Sequence, residues 1–215
     1  MLCPASELNQ AANAAIEGQP AAFRELIAQG RLEQSERAIL GQPFLLLPTY
    51  LYRCAIFGAT IDEAIWQLLA SEKCLDLALN PMNGFTLAHG LAGRNVSTAD
   101  FFKALADQGV DLDQRCHGGF APLNHAAVRD SGMSIAALLE AGANPNTSTR
   151  PDQLTTAHLL AATDEEWGYQ CILELHRYGA DLTLMDAQGM TPLFIAQTTG
   201  NAEILRGLAD CGVTE

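Results

Sequence analysis

The feature that most constrains this chain is a segment that repeats. Residues 189–200 read GMTPLFIAQTTG, and altered copies stand upstream as NGFTLAHGLAGRN, GGFAPLNHAAVRD and DQLTTAHLLAATD. Aligned on Thr191, the copies place Thr86, Ala121 and Thr155 at the same point, so the successive spacings are 35, 34 and 36 residues. A period in this range belongs to chains that stack one small helical unit on the next. A single unit has too little apolar surface to fold alone, and stacking supplies the missing core.

Each copy follows the same local logic. Thr191 followed by Pro192 predicts a helix N-cap and a first-turn proline. Leu193 and Ala196 recur at helical spacing and are expected to face inward. Gly200 and Asn201 end that helix, and AEILRGLADCG predicts a second one with Ile204, Leu205 and Leu208 on one stripe. Gly212 is placed as the left-handed residue that closes it. The same ending recurs as ALADQGVD, ALLEAGAN and ELHRYGAD, and short polar stretches such as LDQRCHGG and TLMDAQG suit hairpin-like loops between copies.

These residues resemble the ankyrin repeat, whose consensus runs G-x-T-P-L-H-x-A-A, then G, then a helix ending L-L-x-x-G-A-D. The resemblance covers four copies, residues 83–113, 118–146, 152–183 and 188–215. Two copies are longer between their helices, around GRNVSTAD and ATDEEWGYQ. Residues 7–30, with AAIEGQPAAFRELIAQG, are similar to a worn capping repeat. Residues 47–80, with CAIFGATIDEAIWQLLA and a Thr60–Glu63 capping box, are similar to a second degenerate repeat. Residues 31–50 carry no hairpin signature and read as an extra helix or a long loop. The resemblance implies an all-α fold: one ankyrin-repeat domain over residues 1–215, an α-solenoid of about six stacked helix-turn-helix units with short hairpin-like loops.

Composition narrows the function. Hydrophobic residues make up 48% and charged residues 17%, as in a globular chain. The longest apolar candidate, PFLLLPTYLYRCAIFG, is interrupted by Pro48 and Arg53 and falls short of the roughly 20 residues a bilayer requires. MLCPASELNQ lacks the basic start and apolar run of a signal peptide, so the expected location is the cytoplasm. Cys3, Cys54, Cys74, Cys116, Cys171 and Cys211 form no C-x-x-C pair and read as reduced thiols acting as small hydrophobes. The net charge of −13 opposes nucleic acid and anionic membranes as ligands and favours a protein partner with a basic surface. Residues 81–215 hold sixteen of the 25 acids and seven of the 12 Lys and Arg residues, so the acid excess lies in the clear repeats.

The residues that could carry chemistry have structural readings beside them. His89 and His158 occupy the T-P-L-H position, where the resemblance implies an imidazole bonded to backbone and neighbouring hydroxyls. Asn124 and Phe194 replace it in the other copies. Cys116 with His117, and Cys171 with His176, lack the second pair that a zinc site needs. Glycine-rich nucleotide motifs are absent from the sequence, and Glu165 with Glu166 have no matching acid that the sequence places across a cleft. No catalytic residue, cofactor or metal is therefore expected.

What remains is surface. The resemblance implies that a partner lies in the concave groove, against the loop tips and the exposed positions of the first helices. That points to Asp113, Arg115 and His117 on one loop, Thr149, Arg150 and Asp152 on the next, and Asp186 and Gln188 on the last. On the first helices it points to Arg94, His125, Arg129, Thr163, Asp164 and Thr199. The stretched loop adds Asp164, Glu165 and Glu166 before Trp167, either as an aromatic anchor for a basic partner or as packing of the longer turn onto a neighbouring repeat. The expected function is a non-enzymatic protein-binding module, monomeric when free. One form is a bacterial immunity-type or antitoxin-type inhibitor of a basic protein. The alternatives are a secreted effector that engages a host protein, and a subunit that supports an enzyme.

Overall fold

The structure is a computed structural model and describes residues 84–93, 99–107, 109–163 and 167–214. The chain groups into two compact units, Met1–Ala78 and Leu79–Glu215, and every described residue belongs to the second. The worn repeats expected at residues 7–30 and 47–80, and the segment 31–50 between them, lie outside the described residues.

The described part is all-α. Its eight helices are α1 (Leu87–Ala92), α2 (Asp100–Asp107), α3 (Pro122–Val128), α4 (Gly132–Glu140), α5 (Thr156–Ala161), α6 (Gly168–Arg177), α7 (Pro192–Thr199) and α8 (Ala202–Asp210), with no strand among the described residues beyond a single bridge between Ser148 and Thr155. Odd-numbered helices pack on one another in succession, α1 on α3, α3 on α5 and α5 on α7. Even-numbered helices do the same, which gives two parallel layers of first and second helices. None of these helices is long and apolar enough to cross a membrane.

The helix starts follow from the sequence. Thr191 caps α7 by accepting the Phe194 amide, with Pro192 in the first turn. Asn201 caps α8 through the Ile204 amide and also donates to the Thr163 carbonyl of the preceding pair. Each second helix is followed by a glycine in the left-handed region: Gly109, Gly142, Gly179 and Gly212. There the missing Cβ lets the chain reverse without strain. Gly200, left-handed as well, ends α7.

Between the layers lies the core. Leu91, Phe102 and Leu105 fill the first interval; Leu123, Ile135 and Leu138 fill the next, and Leu160, Ile172, Leu175, Ile204 and Leu208 complete it. Each such side chain contributes about 1.5–3 kcal/mol on burial. Ala126, Ala127, Ala157, Ala161 and Ala196 are buried too, and their small size sets how closely the first helices approach.

Candidate functional site

The loops between pairs are tight turns. Cys116 donates to Phe120 and Gly119 back to Cys116; Asp186 donates to Met190 and Gly189 back to Asp186. In the third copy the turn is one residue longer, closed by Thr149 to Leu154 and Gln153 to Thr149. Successive turns are bonded to each other by Arg150 N–H to Gly119 O at 3.1 Å and Ala187 N–H to Asp152 O at 2.9 Å. The Arg115 guanidinium reinforces this, donating from Nε to Ser148 O at 2.7 Å.

Two buried histidines tie the first helices to these turns. In His89, Nδ1 accepts the Thr86 amide at 3.1 Å and lies 2.8 Å from Thr86 Oγ1, while Nε2 lies 2.9 Å from Phe120 O. An amide can only donate, so Nδ1 is bare and the proton sits on Nε2, aimed at the carbonyl. His158 repeats the arrangement with Thr155 and Met190 O. In the copy between them, Asn124 accepts the Ala121 amide with Oδ1 and donates from Nδ2 to Thr147 O and Thr156 Oγ1. Phe194, in the same position of the last copy, is exposed.

The environment holds these rings neutral. Burial lowers the His89 pKa to about 4 and lowers that of His158 in the same direction, with carbonyl bonds opposing it. Both imidazoles have both nitrogens engaged by the fold, and burial favours their neutral form. A stability effect follows. Above about pH 6.5, His89 is neutral folded and unfolded, and its contribution is complete. As the pH falls towards 4, the unfolded chain takes up a proton that the folded one refuses, so stability is lost across that window. The gap between about 4 and 6.5 corresponds to about 3 kcal/mol. Urea midpoints at pH 7.5 and 4.5 should fall further apart for the native chain than for His89→Asn. An equal fall in both would contradict the assignment.

A second ladder runs through the loop acids. Asp111, Asn144 and Asp181 each accept the amide two residues ahead. Asp113 then accepts the Asn144 amide at 2.9 Å, and Asn146 accepts the Asp181 amide at 2.7 Å. Burial raises the Asp113 carboxyl, against the lowering effect of the Asn144 bond. Asp186 is buried, and its Oδ1 accepts the Gln188 and Met190 amides.

These contacts sort the residues expected to face a partner. Asp186 and Thr149 are corrected from surface contacts to buried turn-formers, because the Asp186 carboxylate is taken up by backbone amides and the Thr149 hydroxyl oxygen accepts the Leu154 amide. Asp113 and Arg115 are half-buried and bonded to the next copy. His117 is exposed beside Gly84. Arg150 and Asp152 are exposed at the next turn. His125 is half-buried, with Nδ1 3.1 Å from His89 O and its ring edge-on to Phe85 at 4.9 Å; Arg129 lies beside it over Gly93. Burial first, and Arg129 second, lower the His125 pKa. Trp167 stands at the N-cap position of α6, in the second-helix layer, and packs on Gly132 at the start of α4 in the preceding pair, as the packing reading of the longer turn expected. Arg94, Asp164, Glu165 and Glu166 lie outside the described residues.

One surface stays open along the first helices. Counting from the aligned threonine, the fourth, seventh and eighth following positions fall on one helix face. They are His125, Val128 and Arg129; Leu159, Ala162 and Thr163; and Ile195, Thr198 and Thr199. All nine are exposed or half-buried, and Arg129 is the only formal charge among them. Sequence reasoning anticipated His125, Arg129, Thr163 and Thr199 but not Val128 or Thr198, which periodicity alone would have found. Neither a protein-family model nor a curated protein sequence matches the chain.

Proposed function

We propose that this chain is a non-enzymatic protein-binding module, built as an ankyrin-type stack, that holds a protein partner against its first helices and loop tips. The observation that carries the reading is the open stripe from His125, Val128 and Arg129 through Ala162 to Thr198 and Thr199, on first helices of which three are bonded to the following loop through His89, Asn124 and His158. Groups tied in this way lose little freedom on binding, so contact energy is not spent on ordering them. The buried histidines support the non-enzymatic reading, because both ring nitrogens of each are engaged by the fold. The net charge of −13 favours a basic protein as partner, with inhibition of that protein as the form of the function to test first.

The test is affinity capture from the source cells with the native chain and with a Val128→Arg, Ala162→Arg, Thr198→Arg variant. These three positions are exposed, so the fold should survive the change. One protein recovered in stoichiometric amount by the native chain, and lost from the variant, is expected. Equal recovery by both would remove the stripe from the proposal.

A further inference from the structure

The acid excess does not lie where the stripe is. The first helices carry no carboxylate among the described residues, and Asp111, Asp113, Asp181 and Asp186 of the loops are engaged with backbone amides. The second helices differ. They hold Asp100, Asp107, Glu140, Glu174, Glu203 and Asp210 against Lys103, Arg177 and Arg206. Each of those three cations already faces a carboxylate of the same layer: Lys103 on Glu140 at 2.7 Å, Arg177 on Glu174 at 3.6 Å and Arg206 on Glu203 at 2.6 Å. Among the described residues the second helices hold no further Lys or Arg.

The junctions of this layer are also unequal. Lys103 and Glu140 bridge α2 to α4. The Tyr169 hydroxyl bonds Asp210 at 2.8 Å, and Arg206 lies 4.1 Å over the Tyr169 ring, which bridges α6 to α8. Between α4 and α6 the layer instead opens into a groove of about 320 Å³. The Trp167 ring closes one end, because Gly132 has no Cβ; an added Cβ would stand 2.8 Å from Trp167 Cε3. Met133, 53% exposed, and Ala136 and Cys171 line it with apolar surface, and Asp130 and Glu174 bring carboxylates to it. Burial pushes the Cys171 thiol up to about 12, so it acts as apolar wall and not as nucleophile. A site of this size suits one bulky side chain better than a cofactor.

We propose that the groove between α4 and α6 binds an apolar anchor residue flanked by Lys or Arg, presented by a basic protein. The anchor buries against Met133, Ala136 and Trp167, and the flanking cations meet Asp130 and Glu174. The Arg177–Glu174 pair does not pre-empt this, since an exposed pair at 3.6 Å is weak and easily exchanged. This surface is in the opposite layer from the first-helix stripe and stands independently of it.

The test uses the full chain, labelled for amide NMR, and three synthetic peptides. One carries a leucine between lysines, one the same leucine between glutamates, and one the lysines with glycine for leucine. The first should shift the amides of Gly132, Met133, Ala136 and Gln170 and the Trp167 indole, and bind at least about tenfold more tightly than the other two. Added salt should weaken it. Ala136→Arg, which fills the groove from a half-buried helix position, should abolish the shifts. Asp130→Asn with Glu174→Gln should weaken binding without disturbing the fold. The Val128, Ala162 and Thr198 variant should bind the peptide unchanged, which separates this proposal from the one above. Failure of the lysine–leucine peptide to bind, shifts confined to the first helices, equal binding of the glycine peptide, or indifference to Ala136→Arg would each overturn it.

Discussion

Replacing His89 with leucine is expected to destabilise the fold by about 3 kcal/mol, whereas asparagine at the same position costs about 1 kcal/mol. Leucine fills a similar space but leaves the Thr86 amide and hydroxyl without their shared acceptor in a fully buried setting. The Phe120 carbonyl loses Nε2 but keeps the Cys116 amide at 2.9 Å, so the larger part of the cost falls at the helix start. Asparagine should keep that part. Asn124 does the same work one copy later, with Oδ1 3.2 Å from the Ala121 amide, and its shorter side chain reaches Thr147 O instead of the following turn. The order native, His89→Asn, His89→Leu in urea midpoint at pH 7.5 is the measurement. A leucine variant as stable as the native chain would mean that the imidazole only fills space.

That ladder was legible in the sequence because its parts are local. A threonine or alanine at the cap and a histidine or asparagine three residues later recur with the period, as with Thr86 and His89 or Ala121 and Asn124, and the resemblance to the ankyrin repeat implied the bonds the imidazole makes. The left-handed glycines after each second helix were legible for the same reason. Charge was not. Asp113 and Asp186 look like exposed acids, yet each accepts amides brought to it by the turn, and no spacing rule separates such a carboxylate from a solvated one. The two readings of Trp167, anchor or packing, stayed open because its position depends on Gly132, 35 residues earlier, whose missing side chain lets the indole settle on α4. The groove beside it is lined by residues of two helices about 35 residues apart, a juxtaposition that side-chain order along either helix does not encode.

The turns hold the other large effect. Gly119→Ala is expected to cost about 3 kcal/mol or more, and Gly189→Ala only about 1 kcal/mol, although both glycines have nearly the same backbone angle. Their φ values are 82° and 80°, so the conformational strain of adding a Cβ is alike. The surroundings are not. A Cβ on Gly119 would overlap the backbone carbonyl of Arg150 in the next turn and stand 2.9 Å from its amide, while nothing lies within 4 Å of the same point on Gly189. The alanine at 119 must therefore push successive turns apart and break the bond from Arg150 N–H to Gly119 O. The third copy supplies the converse. Gln153 occupies the equivalent position with φ 56°, a non-glycine residue in the left-handed region. Gln153→Gly should relieve that strain and stabilise the chain by up to about 1 kcal/mol, since the relief is partly offset by the freedom glycine adds to the unfolded chain. Urea midpoints for the three variants resolve strain from collision. Equal losses at Gly119 and Gly189 would show that the turns are not in contact as described, and a loss at Gln153→Gly would show that its side chain contributes more than its backbone angle costs.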